Sequence, residues 1–245
     1  GEVTNGTTTY SDFTDNTTLL SNEALYTNGG IVGNDAPPAS SIVHILDNRA
    51  YYVVKNKLFQ SLSADPDSVP ENFFDSYEED ITAVSSTRSN LVVFTNLNVY
   101  RSEGTFDELG NGFMRHEKIF DRTGCVAQQS VVKADNGIFF AGKDGFYYTD
   151  GFQCFRVTDF EDTFAGYTLT TQQKKAITGA YDNVTKKIYW TIETTSAFTS
   201  PNILLVLDLK FGIKKFWKDG KYDSYNLDMK RSPNVYLCSR SAGIQ

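Results

Sequence analysis

The chain has 245 residues, a formal net charge of −7, and an aromatic share of 14% made up of 18 Phe, 14 Tyr and 2 Trp. The negative charge argues against a protein that grips nucleic acid through its phosphates, because that function needs a basic face. No apolar run approaches the roughly 18 residues of a membrane helix and no signal peptide opens the chain, so we expect no membrane insertion. The aromatic bias favours pleated, half-buried surfaces and therefore β-sheet.

Residues 1–40 show little periodicity. They end in Asp35–Ser40, a segment with two prolines that must be extended, because proline fixes its own φ and restricts the residue before it. We predict that residues 1–40 form an extended N-terminal arm or linker. Residues 41–245 are predicted to form a single β-domain.

From Ser41 onward, short apolar runs alternate with turn residues, as is typical of an antiparallel meander. The first group of runs includes turns at Asp47-Asn48 and Asn56, and the second group starts about forty residues later. The strands predicted for the first group are Ile42–Leu46, Tyr51–Val54, Leu58–Leu62 and Phe73–Tyr77. Those predicted for the second group are Ile81–Val84, Leu91–Thr95, Val99–Arg101 and Met114–Phe120.

The third group has the strongest hairpin signals, because Asn-Gly and Asp-Gly dipeptides separate its strands. These turns are Asn136-Gly137, Asp144-Gly145 and Asp150-Gly151. We expect them to be type I′ turns, in which glycine supplies the positive φ at little steric cost. The strands predicted between them are Ser130–Ala134, Ile138–Ala141, Phe146–Thr149 and Phe152–Val157.

A long connection follows between Thr158 and Lys175, and its Thr170–Gln173 segment predicts one helical turn. The start of a fifth group is predicted from Tyr225 onward, including Val235–Cys238. Between these two segments lies a fourth group, whose predicted strands are Ala176–Tyr181, Lys187–Ile192, Ile203–Leu209 and Ile213–Trp217.

A four-strand unit that recurs every 40 to 50 residues is typical of the blades of a β-propeller. We therefore predict an all-β fold, a β-propeller of four-stranded antiparallel blades, with about four blades plus the start of another. Such a number does not close a ring easily, so we expect the propeller to be incomplete and its missing strands to come from outside this sequence or from a partner chain. A β-sandwich is the alternative, since it also consists of short alternating strands.

The residue types that carry out chemistry occur without the spacing that chemistry requires. His44 and His116 lie in or near predicted strands, and Glu78–Asp80 is an acidic run typical of a solvated loop. Asp65–Asp67 lacks the glycine and terminal Glu of a calcium loop, and Gly142–Gly145 lies between strands rather than before a helix, unlike a phosphate loop. We predict no catalytic, cofactor-binding or metal-binding residues, no cofactor, and free thiols at Cys125, Cys154 and Cys238.

Parts of the third group resemble a known family. Thr123–Val132 and Asn136–Tyr147 are similar to segments of the β-propeller proteins that close the head and form the tail nozzle of short-tailed bacteriophages. Asp47–Tyr52 with Leu58–Ser61 resembles an earlier blade of those proteins, as do Leu91–Thr95 and Val99–Arg101. The likeness extends over about Ser41–Trp217, and members of the family are longer than this chain.

The resemblance implies a non-enzymatic virion protein of the tail, assembled in the host cytoplasm. It implies a homo-oligomeric ring, of six copies, stacked below the portal and adaptor and next to other tail proteins. Genomic DNA would pass through this ring without sequence-specific binding, and an acidic wall would repel its phosphates and let it slide.

The alternative function is a carbohydrate-binding or glycoside-cleaving propeller. It predicts a pocket at one mouth with an exposed Tyr or Trp and two carboxylates within about 9.5 Å of each other.

Overall fold

The computed structural model describes residues 34–70, 73–88, 90–106, 112–135, 137–159, 169–192 and 203–210, together with the backbone of four further strands, 213–218, 227–228, 236–239 and 243–244. Most of the predicted N-terminal arm, residues 1–33, lies outside the described residues. The described end of that arm forms strand β1 (Asn34–Asp35), which pairs with β5 (Val69–Pro70).

The remaining strands form four antiparallel sheets of four strands and a fifth sheet of three, each in sequence order. Sheet 1 contains β2 (Ile42–Leu46), β3 (Arg49–Val54), β4 (Lys57–Gln60) and β6 (Phe74–Ser76). Sheet 2 contains β7 (Ala83–Ser86), β8 (Leu91–Phe94), β9 (Val99–Phe106) and β10 (Gly112–Phe120). Sheet 3 contains β11 (Val132–Ala134), β12 (Gly137–Ala141), β13 (Gly145–Thr149) and β14 (Cys154–Asp159). Sheet 4 contains β15 (Thr178–Asp182), β16 (Lys187–Ile192), β17 (Ile203–Asp208) and β18 (Ile213–Lys218), and sheet 5 contains β19 (Leu227–Asp228), β20 (Tyr236–Ser239) and β21 (Gly243–Ile244).

The one α-helix among the described residues, α1 (Thr171–Lys175), confirms the predicted helical turn. Thr170 caps it, because its hydroxyl accepts a hydrogen bond from the Gln173 amide while the Gln173 side chain accepts one from the Thr170 amide. No helix in the described part of the chain is long and apolar enough to cross a membrane.

Neighbouring sheets pack face to face, and a strand of sheet 2 contributes alternate side chains to two different junctions. In β8, Val92 and Phe94 pack against the Ile138 and Phe140 side chains of sheet 3. Leu91, the first residue of β8, and Val93 point the other way and pack against sheet 1. Because both faces are buried, the strand reads as a continuous apolar run rather than as an alternating one.

The first strands of the sheets lie side by side: β2 beside β7, β11 beside β15, and β15 beside β19. Lys133 of β11 donates a hydrogen bond to Ser86 of β7, which links the first strands of sheets 2 and 3. The four-stranded sheets are therefore arranged like the blades of a four-bladed β-propeller, with their first strands toward the common axis. This confirms the predicted propeller over the sandwich.

The junction between sheets 3 and 4 is built around Trp190, which is 1% exposed. Its indole N–H donates to the Ser130 carbonyl at 3.0 Å, and its ring lies 4.4 Å from that of Phe146, centroid to centroid. Gly179 makes room for this indole, since a Cβ on Gly179 would lie 2.7 Å from Trp190 Nε1.

The open edge of β7 is paired with a side chain instead of a strand. The Gln128 side-chain oxygen accepts a hydrogen bond from the Val84 amide at 2.7 Å, and its nitrogen donates to the Val84 carbonyl at 3.1 Å. The Val84 amide and carbonyl point away from β8, and Gln128 gives both of them a hydrogen-bond partner.

Six predicted strand starts are displaced by two residues, those at Tyr51, Ile81, Met114, Ser130, Phe152 and Ala176. Hydrogen bonds or a 3-10 turn explain three of these displacements. Ile81 belongs to the link from sheet 1, since its amide bonds the Lys55 carbonyl. The strand predicted from Phe152 begins at Cys154, because the Asp150 carboxylate accepts the amides of Phe152 and Gln153 and prolongs the turn. The strand predicted from Ser130 begins at Val132, since Gln128–Ser130 forms a 3-10 helix.

The predicted role of glycine in the hairpin turns of sheet 3 is wrong at two of three positions. Gly151 has a φ of 91°, but Gly137 and Gly145 are ordinary strand residues without positive φ. Position 137 needs a glycine for a different reason, because a Cβ there would lie 2.4 Å from the Tyr148 ring. Type I′ dihedrals occur instead at Asp47-Asn48, with φ values of 49° and 59°.

Candidate functional site: a cationic pocket and an uncovered sheet face

The turns between the first and second strands of the sheets gather at one end of the propeller, which we call the first-turn end. Asp135, in the first turn of sheet 3, is bonded to Lys186, in that of sheet 4, at 2.8 Å. Asp-Asn occupies this turn in the sequences of sheets 1, 3 and 4, at Asp47-Asn48, Asp135-Asn136 and Asp182-Asn183, whereas sheet 2 has Thr87-Arg88. The recurrence is visible in the sequence only when the turns of the different sheets are compared with one another.

A pocket with a volume of about 230 Å³ opens at the first-turn end between sheets 2 and 3. The ends of β7 and β11 form its walls, and the turn between β13 and β14 closes one side. Its lining consists of Ser86, Thr87, Arg88, Lys133, Asp135, Gly137, Asp150 and Phe152.

Both carboxylates of this pocket accept hydrogen bonds from other groups of the protein. Asp150 accepts hydrogen bonds from the amides of Gln153 and Phe152, each at 2.8 Å, and these bonds hold the pKa of its carboxyl below the usual range. The hydrogen bond from Lys186 lowers the pKa of Asp135 in the same way. Neither group is poised to act as a general acid near neutral pH.

The two cations of the pocket, Lys133 and Arg88, have no ion-pair partner among the described residues. Lys133 donates to the Ser86 hydroxyl at 3.2 Å. Phe152 stands at the rim with 59% of its surface exposed, and the Arg101 guanidinium lies 4.7 Å from its ring centroid. The arrangement suits binding of an anion rather than bond chemistry.

His44 and His116 lie on different sheets and do not meet. His116 packs against the Tyr77 ring and shares a 2.7 Å hydrogen bond with Asp75. His44 faces sheet 2 from β2, and its Nε2 atom is buried without a hydrogen-bond partner among the described residues. Burial, with a smaller contribution from the charge of Lys133, lowers the pKa of His44.

We expect His44 to make the stability of the protein depend on pH. Its pKa in the folded protein lies below the ordinary value near 6.5, so below that pH the unfolded chain binds a proton more readily than the folded one. The free energy of unfolding should therefore fall as the pH drops from 7.5 to 5.5. Denaturant titrations at both pH values should show a smaller fall for His44→Gln than for the wild type, and an equal fall would contradict this role.

The other residues singled out in the sequence lie apart from the pocket. Glu78 pairs with Lys118 at 2.9 Å, and Glu79 accepts the Leu97 amide, so this acidic run ties sheet 1 to sheet 2. Burial raises the pKa of the free thiols of Cys125 and Cys154, to about 11 and about 12. The side chain of Cys238 lies outside the described residues.

The remaining loops raised in the sequence hold no ion-binding arrangement. The 142–145 segment is the turn from β12 to β13, with the Gly142 amide bonded to the Gly145 carbonyl. The loop that contains Asp65–Asp67 packs on sheet 1, where the Tyr52 hydroxyl donates to the Pro66 carbonyl at 2.7 Å. Across the described ranges, no three His, Cys, Asp or Glu side chains are close enough together to hold a metal ion.

On the side of sheet 1 away from sheet 2, apolar side chains are left uncovered by the described residues, and we call this side the open face. Val43 and Ile45 of β2 are 55% and 73% exposed there, whereas Val84, which faces sheet 1 from the first strand of sheet 2, is 1% exposed. The outer part of the same face is covered, because Ala50 and Tyr52 pack against Val69. The apolar exposure is therefore confined to the first strand and to Phe74 at the far edge.

No protein-family model matches the chain, and no curated protein matches it. Among solved structures, it is similar to a computationally designed protein, Ika8, with 15% identity, a TM-score of 0.32, and coverage of 72% of this chain and 57% of that one. It is also similar to a mutant of the Synechocystis apocarotenoid oxygenase, with 9% identity, a TM-score of 0.29, and coverage of 76% of this chain and 49% of that one. The matches thus span about half the length of these two proteins.

Proposed function

We propose that this protein is a non-enzymatic structural subunit of a short phage tail, a part of the nozzle or head-closure ring around the DNA exit channel. The observation that carries the proposal is the open face, where Val43 and Ile45 leave apolar surface in water. Apolar side chains exposed next to each other on one strand of a sheet are typical of a protein–protein interface. The likeness of the strand and turn segments to nozzle proteins supports the choice of assembly.

The occupant that we propose for the open face is a second copy of the chain. Within one chain each junction is formed by two sheets packed face to face, and a further sheet of the same kind offers the matching shape. Such a contact joins different surfaces of two copies, and a contact of this type produces a ring when the rotation closes. The proposed partners are therefore further copies in the ring, followed by the portal, adaptor and other tail proteins.

The charge of the protein is compatible with a conduit for DNA. A net charge of −7 repels phosphates over a distance of roughly one Debye length, about 8 Å in physiological salt. DNA would then pass without being held, since tight binding requires many Lys or Arg contacts to phosphate. Cleavage of glycosides has less support, because the two pocket carboxylates are engaged by the Phe152 and Gln153 amides and by Lys186.

Native mass spectrometry tests the assembly. We expect the wild type to form rings and Ile45→Lys to remain monomeric, because a charge on the open face would be buried without a partner. Val184→Lys is the matched control, since Val184 is 60% exposed, lies in the first turn of sheet 4 and carries the same substitution. Circular dichroism should show that both variants remain folded.

Two results would contradict the assembly: a wild type that stays monomeric at high concentration, or Ile45→Lys rings as stable as those of Val184→Lys. The location is tested separately by electron microscopy of virions labelled with antibody against the chain. Labelling at the tail is expected, and label absent from intact and opened particles would exclude the nozzle.

A further inference from the structure

We infer that the pocket at the first-turn end between sheets 2 and 3 binds a small organic carboxylate with a ring-shaped body. This goes beyond the proposed structural function, because it assigns a ligand site that assembly does not need. Three features of the pocket lead to it: unneutralised positive charge, a rigid rim, and an exposed aromatic side chain.

The first feature is a local charge opposite to that of the whole protein. The chain carries a net charge of −7, yet Arg88 and Lys133 line the pocket without an ion-pair partner among the described residues. The acids beside them do not cancel this charge fully, because Asp135 is paired with Lys186 and the carboxylate of Asp150 offsets only one of the two cations. A carboxylate fits such a place well, since a guanidinium can bind it through two parallel hydrogen bonds.

Arg88 is also the departure from the pattern of the other sheets. Where sheets 1, 3 and 4 have Asp-Asn in the first turn, sheet 2 has Thr87-Arg88. Thr87 thus stands in the place of the Asp and Arg88 in the place of the Asn, so this turn carries a cation and no carboxylate, next to Lys133 on the neighbouring first strand. The substitution changes the ligand that this part of the first-turn end would attract from a cation to an anion.

The second feature is a rim fixed by side-chain hydrogen bonds. The Thr87 hydroxyl bonds the amide and the carbonyl of Asn90, and the Thr149 hydroxyl donates to the Gln153 carbonyl and accepts from the Gly151 amide. The two turns are in contact, because a Cβ on Gly151 would lie 3.1 Å from the Thr87 methyl group. A site held in place before the ligand arrives loses less entropy on binding.

The third feature is the ring of Phe152. Arg101 holds one side of it, and Arg101 is itself fixed by salt bridges to Glu117 at 2.7 Å and Glu103 at 3.0 Å. The exposed surface of the ring offers an apolar wall for the body of the ligand. The volume of about 230 Å³ limits the size, since it is below the roughly 300–1,000 Å³ of sites for drug-sized ligands.

The test is a titration followed by the backbone amide signals of the ¹⁵N-labelled full chain. The probes are glucuronate, glucose as its neutral counterpart, and inorganic phosphate as an anion without a ring. We expect glucuronate to shift the signals of residues 86–88, 133–135 and 150–152 in a saturable way, glucose to have no such effect, and phosphate to bind more weakly. Arg88→Gln should weaken glucuronate binding about tenfold or more, as expected for loss of a charge-assisted hydrogen bond.

Lys175→Gln serves as the control with the same change of charge. Lys175 is exposed at the end of α1, whose Lys174 contacts Lys143 in the turn from β12 to β13, at the opposite end of sheet 3 from the pocket. The Lys175→Gln variant should bind glucuronate as tightly as the wild type does. Equal binding of glucose, or unchanged binding by Arg88→Gln, would overturn the carboxylate site, and phosphate binding as tight as that of glucuronate would overturn the role of the ring-shaped body.

Discussion

Replacing Trp190 by alanine is expected to lower the free energy of unfolding by about 3–5 kcal/mol, the range measured for large buried aromatic residues. Trp190 is 1% exposed and fills the junction between sheets 3 and 4, so its loss leaves a cavity between two rigid sheets. It also leaves the Ser130 carbonyl without the indole N–H. Urea denaturation of the purified protein, followed by circular dichroism, measures the loss.

Two further variants separate packing from hydrogen bonding at this junction. Trp190→Phe keeps an aromatic ring but removes the N–H donor, and should cost about 1–3 kcal/mol, as does a buried acceptor left unpaired. Phe155→Ala removes an aromatic side chain that is 50% exposed and should cost less than about 1 kcal/mol. A loss below about 1 kcal/mol for Trp190→Ala would show that sheets 3 and 4 do not depend on this contact.

Gly124→Ala is expected to lower the free energy of unfolding by about 3 kcal/mol, at the upper end of the effects of overpacking. The added methyl group would lie 2.0 Å from the Thr95 carbonyl oxygen and 2.7 Å from that of Asn98. Both carbonyl groups belong to the turn between β8 and β9. In this turn the Thr95 hydroxyl accepts a hydrogen bond from the Asn98 amide. Neither carbonyl group can move aside as the end of a flexible side chain would.

Gly104→Ala is the matched control for this variant. Gly104 is exposed in β9, where it pairs with Met114. Thermal unfolding of the two variants should give a change within about 0.5 kcal/mol for Gly104→Ala and a clear loss for Gly124→Ala. Equal melting temperatures would mean that the link between sheets 2 and 3 yields to accommodate a side chain.

The sequence predicted the order of the strands well because two signals agreed. Runs such as Leu91–Phe94 are too apolar for a loop and too short for a core helix, and polar turns follow at regular intervals. The starts of strands were harder, since they depend on single side chains. Asp150 delays one strand through two hydrogen bonds that no alternation pattern encodes.

The pocket and the open face could not be predicted in the same way. The pocket depends on Arg88, Lys133 and Phe152, which come from one strand and two turns in different sheets and meet only once the sheets are packed. Val43 and Ile45 have the same residue types as buried strand positions, so their exposure depends on what packs beside sheet 1. The positive φ predicted for Gly137 is wrong because glycine suits crowded strands as well as turns.

The pairing of Gln128 with Val84 has a consequence for solubility. An unpaired strand edge invites the corresponding edge of another molecule, which is the route to fibrils and amorphous aggregates. The Gln128 side chain already bonds the amide and the carbonyl of Val84. A strand of another molecule therefore cannot form hydrogen bonds with these two groups. The edge of β7 is thus protected at Val84 against pairing with a strand of another molecule, which lowers the tendency of this edge to start aggregation.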